Sequence, residues 1–302
     1  MIKRMITLGL VAVLGVATLA GCGQPPEPEA EIVSREEVST YKKYADRVVT
    51  EAITYTSDGL KIKGYILRPK EYEGQLPILV YNRGGNRNFG KIVLEKSSTL
   101  AYMAEKGYMV VASQYRGGGG SEGEDEFGGA DVNDVTNLLK LAKDLPETDP
   151  DRVFMFGASR GGMMTYQALR NRDDVLAAAV SCGLSDARLG YEDRLDMQDV
   201  YRELVGGSPE QKEAAYSDRS MVDWADTLST PFLIQHGTAD KHVAFSQAEA
   251  AVAKLEENGI AVEFKVYEDA DHSFSGKWKE MIDTVLVYFG ENGGVVYEVA
   301  EE

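Results

Sequence analysis

The sequence has few of the residues that build metal or disulfide sites. Its 302 residues include two cysteines, Cys22 and Cys182, and three histidines, His236, His242 and His272. Two cysteines provide neither a disulfide framework nor a cysteine-based zinc site. The His-Glu-x-x-His pattern of zinc peptidases does not occur. We therefore expect no bound metal and no cofactor.

Positive charge is also scarce. Lysine and arginine total 32 residues against 49 aspartates and glutamates, so the formal net charge is −17. A nucleic-acid-binding surface needs basic side chains against the phosphates, and we therefore exclude nucleic acid as a partner. The hydrophobic fraction of 43% and the charged fraction of 27% are those of a globular protein. A chain of this length buries a sizeable core.

A long apolar run occurs at the beginning of the chain. Two basic residues precede Met5–Ala20, a segment without charge. The run is short for a membrane span, which needs about 20 apolar residues. A basic start followed by a short apolar run is typical of a secretory signal. We therefore expect the protein to be exported from the cytoplasm.

The end of this run predicts a lipid anchor. Leu19–Cys22 resembles a bacterial lipobox, in which the cysteine is lipidated and becomes the first mature residue. The alternative is a plain signal peptide with an incidental cysteine. On the first interpretation residues 1–21 are removed and Cys22 is held at the extracytoplasmic side of the bacterial cell membrane. Residues 22–31, rich in proline and glutamate, form a tether.

Two local patterns follow the tether. Ser34–Glu37 fits a capping box, and apolar residues continue at helical spacing to Ala45, which predicts a short helix. Val48–Thr56 and Leu60–Arg68 alternate apolar and polar residues. Because Ser57-Asp58-Gly59 joins them, we expect a hairpin with a tight turn.

The rest of the chain alternates short apolar runs with helical stretches. We predict strands at Ile78–Tyr81, Met109–Ala112, Val153–Phe156, Ala177–Val180, Phe232–Ile234 and Val262–Tyr267. Helices are predicted at Ser98–Lys106, Val132–Leu145, Met163–Arg170, Phe245–Asn258 and Lys277–Phe289. This alternation predicts one α/β domain at residues 32–292, with a mostly parallel sheet covered on both faces, and a tail at 293–302. An irregular insertion, Leu184–Thr230, has the length of a lid or pocket wall.

One apolar strand runs directly into a nucleophile motif. Val153–Phe156 is followed by Gly157-Ala158-Ser159-Arg160-Gly161, a G-x-S-x-G pattern that opens a helix. This strand–turn–helix context is typical of the nucleophile elbow of α/β-hydrolases. Ser159 is the candidate nucleophile, and the backbone N–H of Arg160 is a candidate oxyanion donor.

A second G-x-S-x-G match lies at Gly119–Gly123, around Ser121. It does not follow its strand directly, and acidic residues rather than a helix come after it. Gly118–Gly123 also spells G-x-G-x-x-G, but its acids would repel a pyrophosphate, so we reject dinucleotide binding. The acids of Glu122–Glu126 form either a solvated loop or a field that attracts cationic peptides.

The base and the acid are predicted from their positions after strands. His272 lies in the loop after the last strand, and Asp240 follows the strand before it. The order Ser159, Asp240, His272 is the chain order of α/β-hydrolases. Three alternatives remain open: Asp240 as a helix cap, and Asp269 or Asp271 as the acid.

The other site residues have weaker signals. His236 at a strand end is expected to bond neighbouring backbone, and His242 to lie at a pocket rim or in solvent. The second oxyanion donor is expected in the loop Tyr81–Asn86, at Arg83 or Gly84, where glycine allows close backbone approach. A simple glycine-rich turn is the alternative.

At these residues the chain resembles the catalytic domain of the prolyl oligopeptidase family of serine peptidases. The resemblance runs from about Thr50 to Phe289. It is carried by segments around the predicted site: Tyr81–Gly85, Tyr115–Gly118, Gly128–Lys143, Asp149–Val153, Gly157–Gly162, Thr230–Asp240 and Tyr267–His272. It implies a Ser159–Asp240–His272 triad on an α/β-hydrolase fold. Esterases similar to dienelactone hydrolase share most of these marks.

The chain also departs from the family. Arg160 stands where an aromatic residue usually follows the nucleophile, and Arg83 where tyrosine or histidine is frequent. Both departures argue against strict proline specificity. The segment before the hydrolase domain has no room for the β-propeller that gates larger members, so we expect the insertion at 184–230 to select substrates.

We therefore predict a serine hydrolase that cleaves peptide or amide bonds through an acyl-enzyme. A carboxylic-ester hydrolase is the first alternative, because the same site performs both reactions. A non-catalytic, hydrolase-like binding protein is the second. The expected partners are a peptide or small ester substrate and, through Cys22, the membrane.

Overall fold

The computed structural model describes residues 30–297. The predicted signal sequence, Cys22 and nearly all of the tether lie outside the described residues. Within 30–297 there are nine strands: β1 (Ile32–Val38), β2 (Val48–Ser57), β3 (Leu60–Pro69), β4 (Leu76–Asn82), β5 (Met109–Ser113), β6 (Thr148–Ala158), β7 (Ala177–Ser181), β8 (Phe232–Gly237) and β9 (Val262–Tyr267).

The same residues contain eight α-helices: α1 (Ser98–Glu105), α2 (Val132–Lys143), α3 (Arg160–Leu169), α4 (Ala187–Asp193), α5 (Gln198–Val205), α6 (Glu213–Asp218), α7 (Phe245–Glu257) and α8 (Trp278–Glu291). In this part of the chain no helix combines the length and the apolar character that crossing a bilayer requires.

All nine strands form one sheet in the order β1-β2-β3-β5-β4-β6-β7-β8-β9. The neighbours β1-β2, β2-β3 and β3-β5 pair antiparallel. The five remaining pairs, β5-β4, β4-β6, β6-β7, β7-β8 and β8-β9, are parallel. One face packs on α2, α3 and α7, and the other on α1 and α8. The predicted α/β class, with a mostly parallel sheet between helices, is confirmed.

The predicted hairpin is confirmed as β2 and β3. Ser57 pairs with Leu60. The two residues between them, Asp58 and Gly59, have φ values of 50° and 77°. Two consecutive residues with positive φ make the tight turn whose twist matches the twist of the paired strands.

The predicted helix that starts at Ser34 is wrong. This segment forms β1, which pairs antiparallel with β2. Arg35 reaches across to the carboxylates of Glu51 and Glu147 at 2.7 and 3.1 Å. A capping box is a local signal, whereas β1 pairs with the distant strand β2 from Ile32 to Val38, with one irregularity between Ile32 and Ser34. The tertiary pairing therefore prevails. Only a short 3₁₀ turn, Lys42–Tyr44, remains helical.

The insertion 184–230 is helical rather than irregular. It contains α4, α5 and α6, and these helices share a small apolar cluster. Tyr191, Tyr201 and Tyr216 pack against one another there, with ring centroids about 6 Å apart. Phe127 joins the cluster at 4.9 Å from the ring of Tyr201. Through this cluster the insertion packs against Phe127 and against Met163 of α3, and it lies over the carboxyl ends of the sheet's strands.

Candidate active site

Ser159 lies at the turn between β6 and α3. Its backbone has φ 59° and ψ −127°, a conformation that a non-glycine residue rarely adopts. Gly157 and Gly161 flank the turn, and a side chain on either would overlap neighbouring backbone. The glycines of the motif are therefore required by the closeness of β6, α3 and β4. The strained turn exposes the Ser159 hydroxyl at the end of the strand.

His272 and Asp240 form a direct hydrogen bond. The distance from His272 Nδ1 to Asp240 Oδ2 is 2.7 Å. Because an ionised carboxylate only accepts, Nδ1 carries the proton and Nε2 keeps a free electron pair. The other oxygen of Asp240 accepts the backbone N–H groups of His242 at 2.7 Å and Val243 at 3.0 Å. The backbone thus holds the Asp240 carboxylate in place, and the carboxylate in turn orients the ring of His272.

Asp240 is held in its ionised form. Its side chain is fully buried, and burial alone would raise its pKa. Hydrogen bonds from His236, His272 and the backbone of Val243 outweigh burial and hold the pKa well below its usual range. Asp240 therefore carries a negative charge that stabilises a protonated His272.

The other acids considered for this role bond elsewhere. Asp271 accepts the backbone N–H groups of Ser273 and Ser275 and the hydroxyl of Ser275. Asp269 is exposed, and its carboxylate has no hydrogen-bond partner within residues 30–297. The structure thus brings Asp240, and neither alternative, against His272.

Two more side chains surround the buried carboxylate. His236 donates from Nε2 to the carbonyl of Val243 at 3.0 Å, as its strand-end position predicts, and Nε2 also lies 3.3 Å from Asp240. The ligand atoms of Cys182, His236 and Asp240 lie within 4.8 Å of one another. Burial and the nearby Asp240 raise the pKa of the Cys182 thiol strongly, so the thiol stays protonated. A protonated thiol is a poor metal ligand.

The three candidate oxyanion donors, Arg160, Arg83 and Gly84, differ in which of their N–H groups are already bonded. Arg160 is the first residue of α3, so its backbone N–H has no acceptor within the helix. Gly84 packs directly against Ser159, where a side chain would lie 3.1 Å from the serine Cβ. The buried guanidinium of Arg83 donates to the backbone carbonyls of Gln114 and Arg87. That side chain therefore holds loops together, and the oxyanion roles of Arg160, Arg83 and Gly84 stay predictions for their backbone N–H groups.

The side chain of Arg160 turns away from the nucleophile into a buried ion-pair cluster. Its guanidinium bonds Asp125 at 2.8 Å and also bonds Asp131. It lies 4.8 Å from the ring centroid of Phe127. Burial would raise the pKa of Asp125, but the charge and hydrogen bond of Arg160 lower it below its usual value. Arg160 therefore anchors the acidic loop beside the nucleophile.

This anchoring changes the interpretation of the acidic loop. Asp125 is buried, Glu122 accepts the backbone N–H of Lys61 at 2.8 Å, and Glu126 accepts that of Ala130 at 2.9 Å. Three of the four carboxylates are thus used to hold the loop. The loop is therefore neither freely solvated nor a set of four free charges directed at substrates, because these carboxylates hold it in place. Ser121 of the second G-x-S-x-G match likewise accepts the backbone N–H of Lys63 at 2.9 Å.

A cavity of about 580 Å³ lies between the sheet and the insertion. Ser159 and His272 both line it, within the size range of small-ligand sites. Its apolar walls come from three places in the chain. Phe127 follows the acidic loop, Leu184, Met197 and Tyr201 belong to the insertion, and Val243 lies in the loop after β8. The nucleophile therefore opens onto a mostly apolar pocket.

Arg194, which follows α4, links the insertion to the catalytic loop. It donates to the carbonyl of His242 at 2.8 Å and lies 3.2 Å from the Nδ1 of the same ring. Asp196 holds the other edge of the guanidinium with two bonds of 2.8 Å. The ring of His242 packs edge-on against His272 at 5.1 Å. His242 thus lies at the pocket rim, whereas no sequence motif indicated Arg194 or the role of Cys182.

The fold and this arrangement define a serine hydrolase of the α/β-hydrolase class. A model of the prolyl oligopeptidase family matches residues 95–293, which is more than half of the chain. The chain is 31% identical over 241 residues to the uncharacterized peptidase YtmA of Bacillus subtilis, a match that covers 80% of this chain and 92% of that protein. The chain therefore belongs to the prolyl oligopeptidase family and is a serine peptidase.

Longer relatives match over part of their length. The chain is 24% identical to dipeptidyl-peptidase 5 of Porphyromonas gingivalis, over 82% of this chain and 38% of that protein. The acylaminoacyl peptidase of Pyrococcus horikoshii superposes with a TM-score of 0.72 at 23% identity, over 86% of this chain and 44% of that one. This chain thus spans less than half of either protein. The structural likeness confirms the predicted α/β-hydrolase fold.

Proposed function

We propose that this protein hydrolyses peptide bonds through an acyl-enzyme on Ser159. The supporting observation is the 2.7 Å bond between His272 and Asp240 beside the strained Ser159 turn. Ser159 Oγ attacks the carbonyl carbon while His272 Nε2 takes its proton. The oxyanion lies against backbone N–H groups of the Arg160 and Gly84 regions.

Two further steps complete the reaction. The protonated His272 gives its proton to the leaving amine, and the carbon–nitrogen bond breaks. Water then enters, loses a proton to His272 and attacks the ester formed with Ser159. The acid is released, and the proton returns to Ser159. Asp240 stays ionised throughout and stabilises each imidazolium.

The pocket next to Ser159 supports an apolar side chain on the acyl side of the cleaved bond. Phe127, Leu184, Tyr201 and Val243 line it. Burial of a leucine or phenylalanine side chain there gains about 1.5–3 kcal/mol. We expect substrates with such a residue to be preferred over substrates with glycine, as judged by kcat/KM on a matched series of peptide anilides.

The nucleophile is tested by one substitution and one control. Ser159→Ala is expected to lower kcat by about 10³-fold or more, because the removal of a triad serine leaves only binding and oxyanion stabilisation. It is also expected to abolish labelling by a serine-directed phosphonate. Ser121→Ala, which changes the second G-x-S-x-G match, is the matched control and leaves both intact. Labelling of the Ser159→Ala protein would contradict the assignment.

We further propose that the mature protein is a lipoprotein on the extracytoplasmic face of a bacterial membrane. The support is in the sequence, where the apolar run Met5–Ala20 ends at Gly21-Cys22 and a proline-rich segment follows. A lipid at Cys22 with a tether of residues 22–31 would hold the peptidase off the membrane surface. Peptides outside the cytoplasm would then be its substrates.

A further inference from the structure

Two arginines and two aspartates line the catalytic cavity, and one of the aspartates is left without a partner in the described part of the chain. These four residues are Arg160, Asp193, Arg194 and Asp196. Arg160 is already held by two buried aspartates, and Arg194 is paired with Asp196 at 2.8 Å. Asp193 has no hydrogen-bond or ion-pair partner within residues 30–297. The cavity therefore presents one uncompensated carboxylate, on the insertion.

A second polar group of the same wall also has no partner. Tyr201 is 4% exposed and lines the cavity, and its ring packs against Phe127. Its hydroxyl makes no hydrogen bond to any described residue and lies beside Gly190, where a side chain would come within 2.6 Å of it. The ring is buried, but the hydroxyl oxygen keeps some accessible surface, and tyrosine hydroxyls in such surroundings normally have a hydrogen-bond partner. The open side of this hydroxyl is the cavity, so a ligand is the partner available to it.

We propose that Asp193 and the Tyr201 hydroxyl bind the free α-amino group of the peptide substrate. A protonated amine has three donors and a positive charge, which match one carboxylate and one hydroxyl oxygen. The two acceptors lie in the cavity that holds Ser159, so the amino group and the cleaved bond would occupy one pocket. The protein would then be an exopeptidase that acts near free amino termini. This inference rests on the proposed peptidase function.

Three substrates separate the sources of positive charge. Alanyl-leucyl p-nitroanilide has a free α-amino group, and its N-acetylated form lacks that charge. N-acetyl-lysyl-leucyl p-nitroanilide carries the charge on a side chain instead. We expect kcat/KM of the wild type to be about tenfold higher for the free-amine substrate than for either acetylated one, the size of one charge-assisted hydrogen bond in a partly desolvated site.

The variants locate the interaction. Asp193→Asn is expected to lower kcat/KM on the free-amine substrate about five- to tenfold and to change it less than about twofold on the acetylated ones. Glu192→Gln is the matched control, because the neighbouring Glu192 is exposed and does not line the cavity. Tyr201→Phe keeps the ring and removes only the hydroxyl. It is expected to lower the same constant about threefold.

Each other outcome has a definite meaning. Equal losses in Asp193→Asn and Glu192→Gln would show a long-range field and overturn the proposed contact. A wild type that cleaves the acetylated alanyl substrate as well as the free one would overturn it and leave the peptidase function standing. If the wild type preferred the lysyl substrate and Asp193→Asn abolished that preference, Asp193 would bind a basic side chain and not the α-amino group. A folded wild type that cleaves none of the peptides would refute the proposed function itself.

Discussion

The residues of the site act through groups that lie far away in the sequence. Ser159, Asp240 and His272 could be predicted because each follows a strand, and parallel strands end at one edge of a sheet. The side-chain role of Arg160 could not be predicted. Its partners Asp125 and Asp131 lie 35 and 29 residues away, and only the folded chain brings them together.

The low pKa of Asp240 predicts how this residue affects stability at acidic pH. An aspartate in the unfolded chain has a pKa of about 3.9, and the folded protein holds Asp240 well below that value. Its stabilising contribution is therefore complete at about pH 5 and above, and it is lost as the pH falls below the unfolded-state pKa toward the folded-state pKa. We expect the free energy of unfolding to fall more steeply between about pH 5 and 2 in the wild type than in Asp240→Asn.

Urea unfolding at several pH values measures this difference. Asp269→Asn is the matched control, since Asp269 is exposed and its carboxylate has no partner within residues 30–297. This control is expected to follow the wild type. If Asp240→Asn and the wild type lost stability in parallel, the carboxylate would not be held ionised by its hydrogen bonds.

At the scale of elements, the sequence predicted the alternation of strands and helices because buried parallel strands are continuously apolar. Ala177–Val180 and Phe232–Ile234 illustrate this pattern, and β7 and β8 contain them. The edge strand β1 is different. It is exposed on several positions, its pattern fits a helix as well as a strand, and its pairing with β2 decides between them. A local pattern does not report such long-range pairing.

The insertion also gave little signal, because its short helices are stabilised by aromatic contacts rather than by long periodic stretches. Arg194 at the end of α4 is nevertheless one of its functional contacts, since it holds His242 against His272. We expect Arg194→Gln to lower kcat/KM about five- to tenfold, equivalent to about 1–1.4 kcal/mol of transition-state stabilisation. Because the ion pair of Arg194 with Asp196 is partly exposed, we expect its loss to change the free energy of unfolding by little.

Kinetics and thermal unfolding together test this contact. Arg202→Gln is the matched control, because Arg202 bonds Asp199 and Gln198 on the surface of α5 and does not line the cavity. The expected result is a loss in kcat/KM with Arg194→Gln and none with Arg202→Gln, at similar Tm values. Equal kinetics in both variants would show that the insertion does not position the catalytic histidine.

At the scale of the whole molecule, residues 30–297 contain all three triad residues and the cavity walls described above. The sheet supplies the nucleophile, the acid and the base from β6, β8 and β9, and the insertion supplies one wall of the cavity. The cavity walls described above all come from residues 30–297. We therefore expect the peptidase to fold and to act independently of the segment that carries Cys22.

This independence gives a prediction for the proposed lipid anchor. Cys22→Ser removes the only thiol that a lipobox could use, so the protein is expected to leave the membrane fraction or to stay unprocessed. Its kcat/KM on peptide anilides is expected to equal that of the wild type. Stable anchoring needs more than one acyl chain, which a lipidated cysteine provides and a serine does not.

Membrane fractionation of cells that express each form measures the distribution, and Cys182→Ser, which changes the buried thiol, is the matched control. If Cys22→Ser stayed in the membrane fraction with the apparent mass of the processed wild type, Cys22 would not carry the anchor.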